Sequence, residues 1–96
     1  MRQISQEAAS ALINGSDYHK SNTRVENGSM YLFGNCIVIK TDSSFLISDA
    51  GWPTVTTRER LNALCVRLGK GSPLHMKKGV TYFNDDIFPS NAMVKI

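Results

Sequence analysis

Residues 51–69 constrain the fold most, because this stretch contains both a start signal and a stop signal for a helix. Pro53 prevents a helix from continuing through it and favours an extended backbone at the preceding residue. Thr56 is followed three residues later by Glu59, which is the spacing of a capping box. Gly69 suits the left-handed position just past a helix end. The stretch therefore predicts a helix that begins at a Thr56 cap and ends before Gly69.

The predicted helix has an apolar side and a basic side. Apolar residues recur at positions i, i+3, i+4 and i+7, which places them in one buried stripe: Leu61, Leu64, Cys65 and Leu68. Arginines flank this stripe and are expected on an accessible side of the helix: Arg58, Arg60 and Arg67. Trp52, the only tryptophan, has two interpretations. We expect it to cap the core beneath the helix; the alternative is an exposed hot spot for binding.

The length and composition predict one small globular domain over residues 1–96. Hydrophobic residues make up 42% of the chain, which argues against disorder. The net charge of +3 permits an acidic partner but does not require one. The start of the chain does not resemble a signal peptide, and the apolar run 36–39 is too short to span a bilayer. We expect a cytoplasmic protein with no membrane contact.

The rest of the chain predicts an α+β fold. A first helix is expected over about Gln6–Ile13, with Ser5 as its N-cap. Alternating segments predict an antiparallel β-meander over residues 23–48 and a C-terminal β-hairpin over 74–83. The tail 89–96 is expected either to add an edge strand or to fray. Strands in antiparallel runs with two short helices on one face form an α+β domain.

One connection before the predicted meander and two within it are informative. Residues 16–22 are polar and predict a loop. Asn27-Gly28 is the dipeptide best suited to a type I′ hairpin turn. Gly34-Asn35 interrupts the next apolar run, and we interpret it as a turn, with Asn35 in the left-handed region, although a bulge is the alternative.

The chain lacks the patterns that indicate catalysis. His19 and His75 have no acidic or thiol neighbour at a spacing that forms a dyad. Asp49 with Asp85-Asp86 could serve a metal-dependent hydrolase or nuclease, but a solvated turn explains the same residues with no further assumption. The cysteines, Cys36 and Cys65, are expected to be reduced core thiols. We therefore predict no enzymatic activity, no cofactor and no metal site.

Basic side chains give the sequence its candidate binding surface. The residues predicted to contact a macromolecule are Arg58, Arg60, Arg67, Lys70, Lys77 and Lys78. If the helix flank and the hairpin tip lie on one side, this surface could follow a phosphate backbone. Stacking on bases is less favoured, because the aromatic residues that would provide it are expected to be at least half buried: Tyr31, Phe33, Tyr82 and Trp52.

Several segments together resemble small accessory proteins of tailed bacteriophages and prophages. They are Asn22-Thr23-Arg24-Val25, Leu32-Phe33-Gly34-Asn35 and the run from Gly51 to Asn62, whose Thr-Thr-Arg-x-Arg-Leu-Asn portion is the most specific. Two positions depart from that pattern: Phe33 replaces a histidine, and Asn84-Asp85 replaces Asn-Gly. The resemblance covers most of residues 4–84 and implies a phage origin and the cytoplasm of the host, but no site residues.

These observations lead to two functional hypotheses. The first is a non-enzymatic phage accessory protein that binds and inhibits a host macromolecule, a protein or a protein–nucleic-acid complex such as a CRISPR–Cas defence complex. The alternative is a basic nucleic-acid-binding module that uses the arginine flank and the Lys77-Lys78 hairpin tip.

Overall fold

A computed structural model describes residues 2–96 of the protein. Within this range the chain forms two helices, α1 (Gln3–Asn14) and α2 (Val55–Arg67). Its strands are β1 (Tyr18–Lys20), β2 (Thr23–Glu26), β3 (Ser29–Leu32), β4 (Asn35–Lys40), β5 (Phe45–Ile47), β6 (Leu74–Lys77), β7 (Val80–Phe83), β8 (Asp86–Ile87) and β9 (Val94–Lys95).

The strands form two antiparallel sheets. The larger sheet has the order β1-β2-β3-β4-β5-β9, and the smaller has the order β6-β7-β8. The predicted α+β fold is confirmed. Two details exceed the prediction: the expected loop 16–22 contains β1, and the hairpin gains β8. Of the two alternatives predicted for the tail 89–96, the edge strand is present, as β9 pairs with β5.

The core lies between one face of the larger sheet and the two helices. Ala8 and Ala9 of α1 are fully buried, and their small side chains let the helix approach α2 and the sheet closely. Larger apolar side chains fill the remaining space: Leu12, Val25, Met30, Ile37, Val38, Ile47, Leu61 and Leu64. The opposite face of the sheet is covered by neither helix. There the guanidinium of Arg24 lies 4.5 Å from the ring centre of Tyr31.

The start of α2 differs from the prediction. Thr54 is the N-cap, in an extended conformation, and its hydroxyl accepts a hydrogen bond from the Thr57 amide at 3.2 Å. The predicted capping box is wrong, because Glu59 instead pairs with the Arg2 guanidinium at 3.2 Å. The predicted stop is confirmed: Gly69 follows the helix in the left-handed region, with φ of 76°.

The start of α1 is also earlier than predicted. The helix begins at Gln3 and its N-cap, Arg2, makes no side-chain capping bond. Ser5 is therefore not a cap; it lies within the helix, fully buried. Gly15 ends the helix with φ of 75°, as the sequence predicts.

The connection between β3 and β4 is a turn, as predicted, but it lies one residue earlier. Phe33 and Gly34 have φ values of 51° and 80°, so these two residues form the turn and Asn35 already belongs to β4. A separate bulge follows. Tyr31 pairs with Cys36 while Met30 pairs with Val38, which leaves Ile37 as the extra residue on β4.

One side chain of α2 forms a pair of hydrogen bonds with the first residue of the smaller sheet. Nδ2 of Asn62 donates to the carbonyl of Leu74, and the Leu74 amide donates to Oδ1 of Asn62, both at 2.9 Å. The side chain of Leu74 itself is buried. These contacts fix the beginning of β6 against the middle of the helix.

Candidate functional site: an aromatic cleft beside the start of α2

An apolar cleft of about 450 Å³ lies where the β3–β4 turn approaches the segment that enters α2. It has the size of a binding site for a small molecule or for a side chain of a partner protein. Its lining is Leu32, Phe33, Asn35, Ile37, Asp49, Trp52, Thr54 and Thr57. The cleft therefore combines residues from two strands, the turn between them, the segment before α2 and α2 itself.

Phe33 projects from the turn on one side of the cleft. It is 73% exposed, which makes it the most exposed large apolar side chain in residues 2–96. Its φ of 51° is a left-handed conformation that a bulky residue adopts only at an energetic cost. The prediction that Phe33 is at least half buried is wrong, because a two-residue turn directs the side chain away from both strands.

Trp52 is the second exposed aromatic residue of the cleft. It is 62% exposed, so the prediction that it caps the core is wrong and the alternative of an exposed position holds. The cause is a tight turn before it. Ala50 and Gly51 have φ values of 54° and 83°, and the Trp52 amide donates to the Asp49 carbonyl at 2.8 Å. This turn reverses the chain ahead of α2 and leaves the indole at the surface.

Arg60 is the predicted binding residue whose position contradicts the prediction most clearly. It is 1% exposed, whereas an accessible position on the helix flank was expected. Its guanidinium donates to Thr23 Oγ1 at 3.0 Å, Ser5 Oγ at 2.6 Å and Asn22 Oδ1 at 3.4 Å. Burial lowers the pKa of Arg60 below its ordinary value. Arg60 thus joins α2 to α1 and β2, and a partner could not reach it.

The other predicted basic residues are dispersed. Arg67, at the exposed end of α2, donates to the Ser10 hydroxyl, and Lys70 is exposed in the connector that follows. Arg58 is half buried; its Nη1 donates to the Pro53 carbonyl at 3.1 Å and lies 4.0 Å from the sulfur of Met76.

The small sheet separates the helix from the hairpin lysines. Lys77 and Lys78 are exposed at the β6–β7 turn. Successive side chains of a strand point to opposite faces, so Lys77 and Met76 lie on opposite sides of the smaller sheet. Since Arg58 contacts Met76, the structure does not bring Arg58 and Lys77 to the same face.

The residues considered for catalysis do not form a cluster. Asp49 is buried, whereas Asp85 and Asp86 are exposed at the β7–β8 turn. Among residues 2–96 no group of three or more His, Cys, Asp or Glu side chains is placed to hold a metal ion. The ring of His75 is stacked on Tyr82, with 5.6 Å between the ring centres.

Both cysteines are free thiols, but only one lies in the core. Cys65 is fully buried and burial raises its pKa to about 11, whereas Cys36 is half buried on the open face of the sheet. In the part of the chain that the structure describes, no helix is long and apolar enough to cross a membrane.

Sequence reasoning did not identify the cleft. To identify the cleft, one would have to predict that Phe33 and Trp52 are both exposed. A pattern of apolar residues predicts that they are buried. One signal was available: Phe33 is a bulky residue directly before a glycine at a predicted turn, where Asn or Gly is usual. A residue that breaks a local rule in this way often serves a function.

A family model described as Kyanoviridae Gp96 protein matches residues 1–95 of this chain. The match covers both helices and both sheets, and it includes all residues that line the aromatic cleft. No curated protein and no solved structure matches the chain significantly.

Proposed function

The chain belongs to the Kyanoviridae Gp96 family of bacteriophage proteins, and on this premise we propose that it is an accessory protein that binds and inhibits a protein of the bacterial host. The phage origin expected from the sequence is confirmed by this membership. In this proposal the protein acts in the host cytoplasm without enzymatic activity. Its target is a host protein or a protein–nucleic-acid assembly. A defence complex of the CRISPR–Cas type is such a target.

The observation that supports binding is the exposed aromatic pair. Phe33 and Trp52 are 73% and 62% exposed, and both line the same apolar cleft. Exposing two large aromatic side chains costs hydrophobic free energy, and clusters of this kind mark protein interaction sites. Aromatic residues are also enriched among the few residues that dominate the affinity of protein interfaces. The cleft is therefore the surface on which we place the partner.

The test uses a photo-crosslinking amino acid in place of Phe33, with the same amino acid in place of Val66 as the matched control. Val66 is also an exposed apolar residue, at 45%, but lies at the other end of α2. In host lysate, position 33 should crosslink to a partner that position 66 does not. The purified partner should then bind the Trp52→Ala variant at least about tenfold more weakly than the wild type.

Two results would contradict the proposal. One is the absence of any partner specific to position 33. The other is a purified partner that binds wild type and Trp52→Ala equally well. Inhibition is tested separately, by measuring the activity of the purified partner with wild-type protein and with Trp52→Ala. If the wild-type protein leaves that activity unchanged, the proposed inhibition is wrong and the proposed binding stands.

The nucleic-acid alternative has one specific observation in its favour. Lys77 lies on the outer face of the smaller sheet beside the stacked rings of His75 and Tyr82. Fluorescence anisotropy with single- and double-stranded oligonucleotides over a salt series tests it. Binding that weakens steeply with salt, and a slope reduced by about two in the Lys77→Ala/Lys78→Ala variant, would support this function. No binding at low salt would exclude it.

A further inference from the structure

A buried carboxylate lies in the wall of the aromatic cleft. Asp49 is 3% exposed and is one of the residues that line this cavity. Its Oδ1 accepts hydrogen bonds from the Gly51 amide at 2.8 Å, the Asn91 amide at 2.7 Å and the Ser90 hydroxyl at 3.4 Å. All three donors bind the same oxygen. No hydrogen bond to Oδ2 is seen within residues 2–96. Since every buried side-chain oxygen and nitrogen in that range has a partner, Oδ2 is accessible to solvent.

A carboxylate oxygen that is accessible can accept further hydrogen bonds. The three bonds to Oδ1 hold the carboxylate in place and also attach the tail at Asn91 to the turn before Trp52. Asp49 shares the lining of the cleft with two exposed aromatic side chains, Phe33 and Trp52. A molecule that enters the cleft can therefore donate a hydrogen bond to Oδ2.

The chemistry of the walls selects a cation. The faces of Trp52 and Phe33 attract positively charged groups, and the tryptophan face does so most strongly. A carboxylate adds a full negative charge and a hydrogen-bond acceptor. The ion pairs within residues 2–96 are Arg2–Glu59 and Arg24–Glu26, so no basic side chain in that range pairs with Asp49. The positive end of α2 opposes a cation, but the effect is about half a charge and the Thr54 cap reduces it.

We propose that the cleft binds an arginine side chain of the partner protein, whose guanidinium lies between Trp52 and Phe33 and donates a hydrogen bond to Oδ2 of Asp49. Arginine fits better than lysine, because its planar guanidinium stacks on aromatic rings and is more weakly hydrated. This inference rests on the proposed function, since it specifies the partner residue that occupies the same cleft.

The intrinsic fluorescence of Trp52 provides the test, because it is the only tryptophan in the chain. The probe is a blocked pentapeptide with one arginine between glycines, and the matched probe has glutamine in place of the arginine. We expect the arginine peptide to shift the emission with a dissociation constant on the order of 1 mM. The glutamine peptide should bind at least about tenfold more weakly, because it lacks the charge.

Variants locate the site. Asp49→Asn should weaken binding of the arginine peptide about tenfold, while Asp42→Asn, which removes an exposed charge outside the cleft, should leave it unchanged. Asp49→Asn also alters the bonds to Asn91, so its fold is checked by circular dichroism. Should it not fold, Phe33→Gly decides, because it relaxes the turn and removes one aromatic wall; its affinity should fall several-fold.

Three results would overturn the inference. The first is equal binding of both peptides, and the second is no emission change up to roughly 20 mM arginine peptide. The third is unchanged binding of the arginine peptide by folded Asp49→Asn, or by Phe33→Gly if Asp49→Asn does not fold. Failure here is distinguishable from failure of the proposed function. If the peptide does not bind but crosslinking at position 33 captures a partner that Trp52→Ala loses, the cleft binds protein by another chemistry. If the peptide binds and no partner is captured, the proposed function fails and the cation site stands.

Discussion

Phe33 illustrates how a single residue can be strained and exposed at once. Its backbone has φ of 51° in a turn where glycine or asparagine would be relaxed, and its side chain is 73% exposed. Neither property stabilises the fold. Both are explained if the ring is needed at the mouth of the cleft, because a strained residue is retained where a site requires it.

This interpretation predicts that Phe33→Gly is more stable than the wild type. The change relieves the left-handed strain, partly offset by the greater flexibility of glycine in the unfolded chain, so we expect a gain of about 1 kcal/mol. Phe33→Leu is the control, since it removes the ring but keeps the strain, and it should differ by less than about 0.5 kcal/mol. Urea unfolding measures both. A Phe33→Gly variant less stable than Phe33→Leu would contradict the interpretation.

Arg60 and Arg67 have equal charge and opposite environments. Arg60 is 1% exposed and bonded to three neutral acceptors, whereas Arg67 is exposed. Arg60→Ala should therefore lower the free energy of unfolding by about 3 kcal/mol, because it leaves a cavity and buried acceptors without donors. Arg67→Ala should change it by less than about 0.5 kcal/mol. Similar decreases in the free energy of unfolding for the two variants, measured by thermal or urea unfolding, would show that Arg60 is not a buried link between α2, α1 and β2.

At the scale of elements, the sequence predicted the helix α2 but misplaced its first residue. Thr54 and Thr56 both lie near Pro53, and either has the chemistry of a cap. The sequence favoured Thr56, because Glu59 follows at the capping-box spacing. In the fold Glu59 pairs with Arg2, a residue 57 positions earlier, so local spacing did not determine its partner.

The position of this cap is testable. Thr54→Ala removes the oxygen that accepts from the Thr57 amide and should destabilise the protein by about 1 kcal/mol. Thr56→Ala lies within the first turn of the helix and should cost less than about 0.5 kcal/mol. Equilibrium unfolding of the two single variants gives the comparison. If Thr56→Ala is the more destabilising, the cap assigned to Thr54 is wrong.

At the scale of the whole molecule, Asn62 holds the smaller sheet against the rest of the fold. Leu74 pairs with Phe83 on one side, and on the other side Asn62 takes the place of a neighbouring strand by bonding to both the amide and the carbonyl of Leu74. Arg58 and Met76 add a weaker contact between the same elements. The smaller sheet thus has few connections, and we expect it to open more readily than the meander.

Hydrogen exchange can test this dependence on Asn62. Asn62→Ala should lower the free energy of unfolding by about 2 kcal/mol and speed exchange in residues 74–83 more than in residues 23–40. Asn62→Asp keeps the acceptor for the Leu74 amide but sets a carboxylate oxygen against the Leu74 carbonyl, so it should also speed exchange in residues 74–83. A uniform increase of exchange over both sheets would contradict a local role.

By itself the sequence determined the local structure of this protein. Turn residues and glycines predicted the chain reversal at Asn27-Gly28 and the C-terminal ends of both helices. Alternation of apolar and polar residues predicted the meander and the hairpin. These features depend on neighbouring residues, whose chemistry is visible in the chain. They sufficed for the α+β class and, with the quoted segments, for the phage origin.

Only the tertiary structure decided the site. Periodicity states which residues share a face, but the segments that cover that face come from elsewhere in the chain. Arg60 became buried because Ser5 and Thr23 approach it, and Asp49 because the tail folds over it at Asn91. Trp52 and Phe33 stayed exposed because no distant segment covers them. A cleft assembled from residues between positions 32 and 57 is a product of long-range packing, which local patterns do not encode.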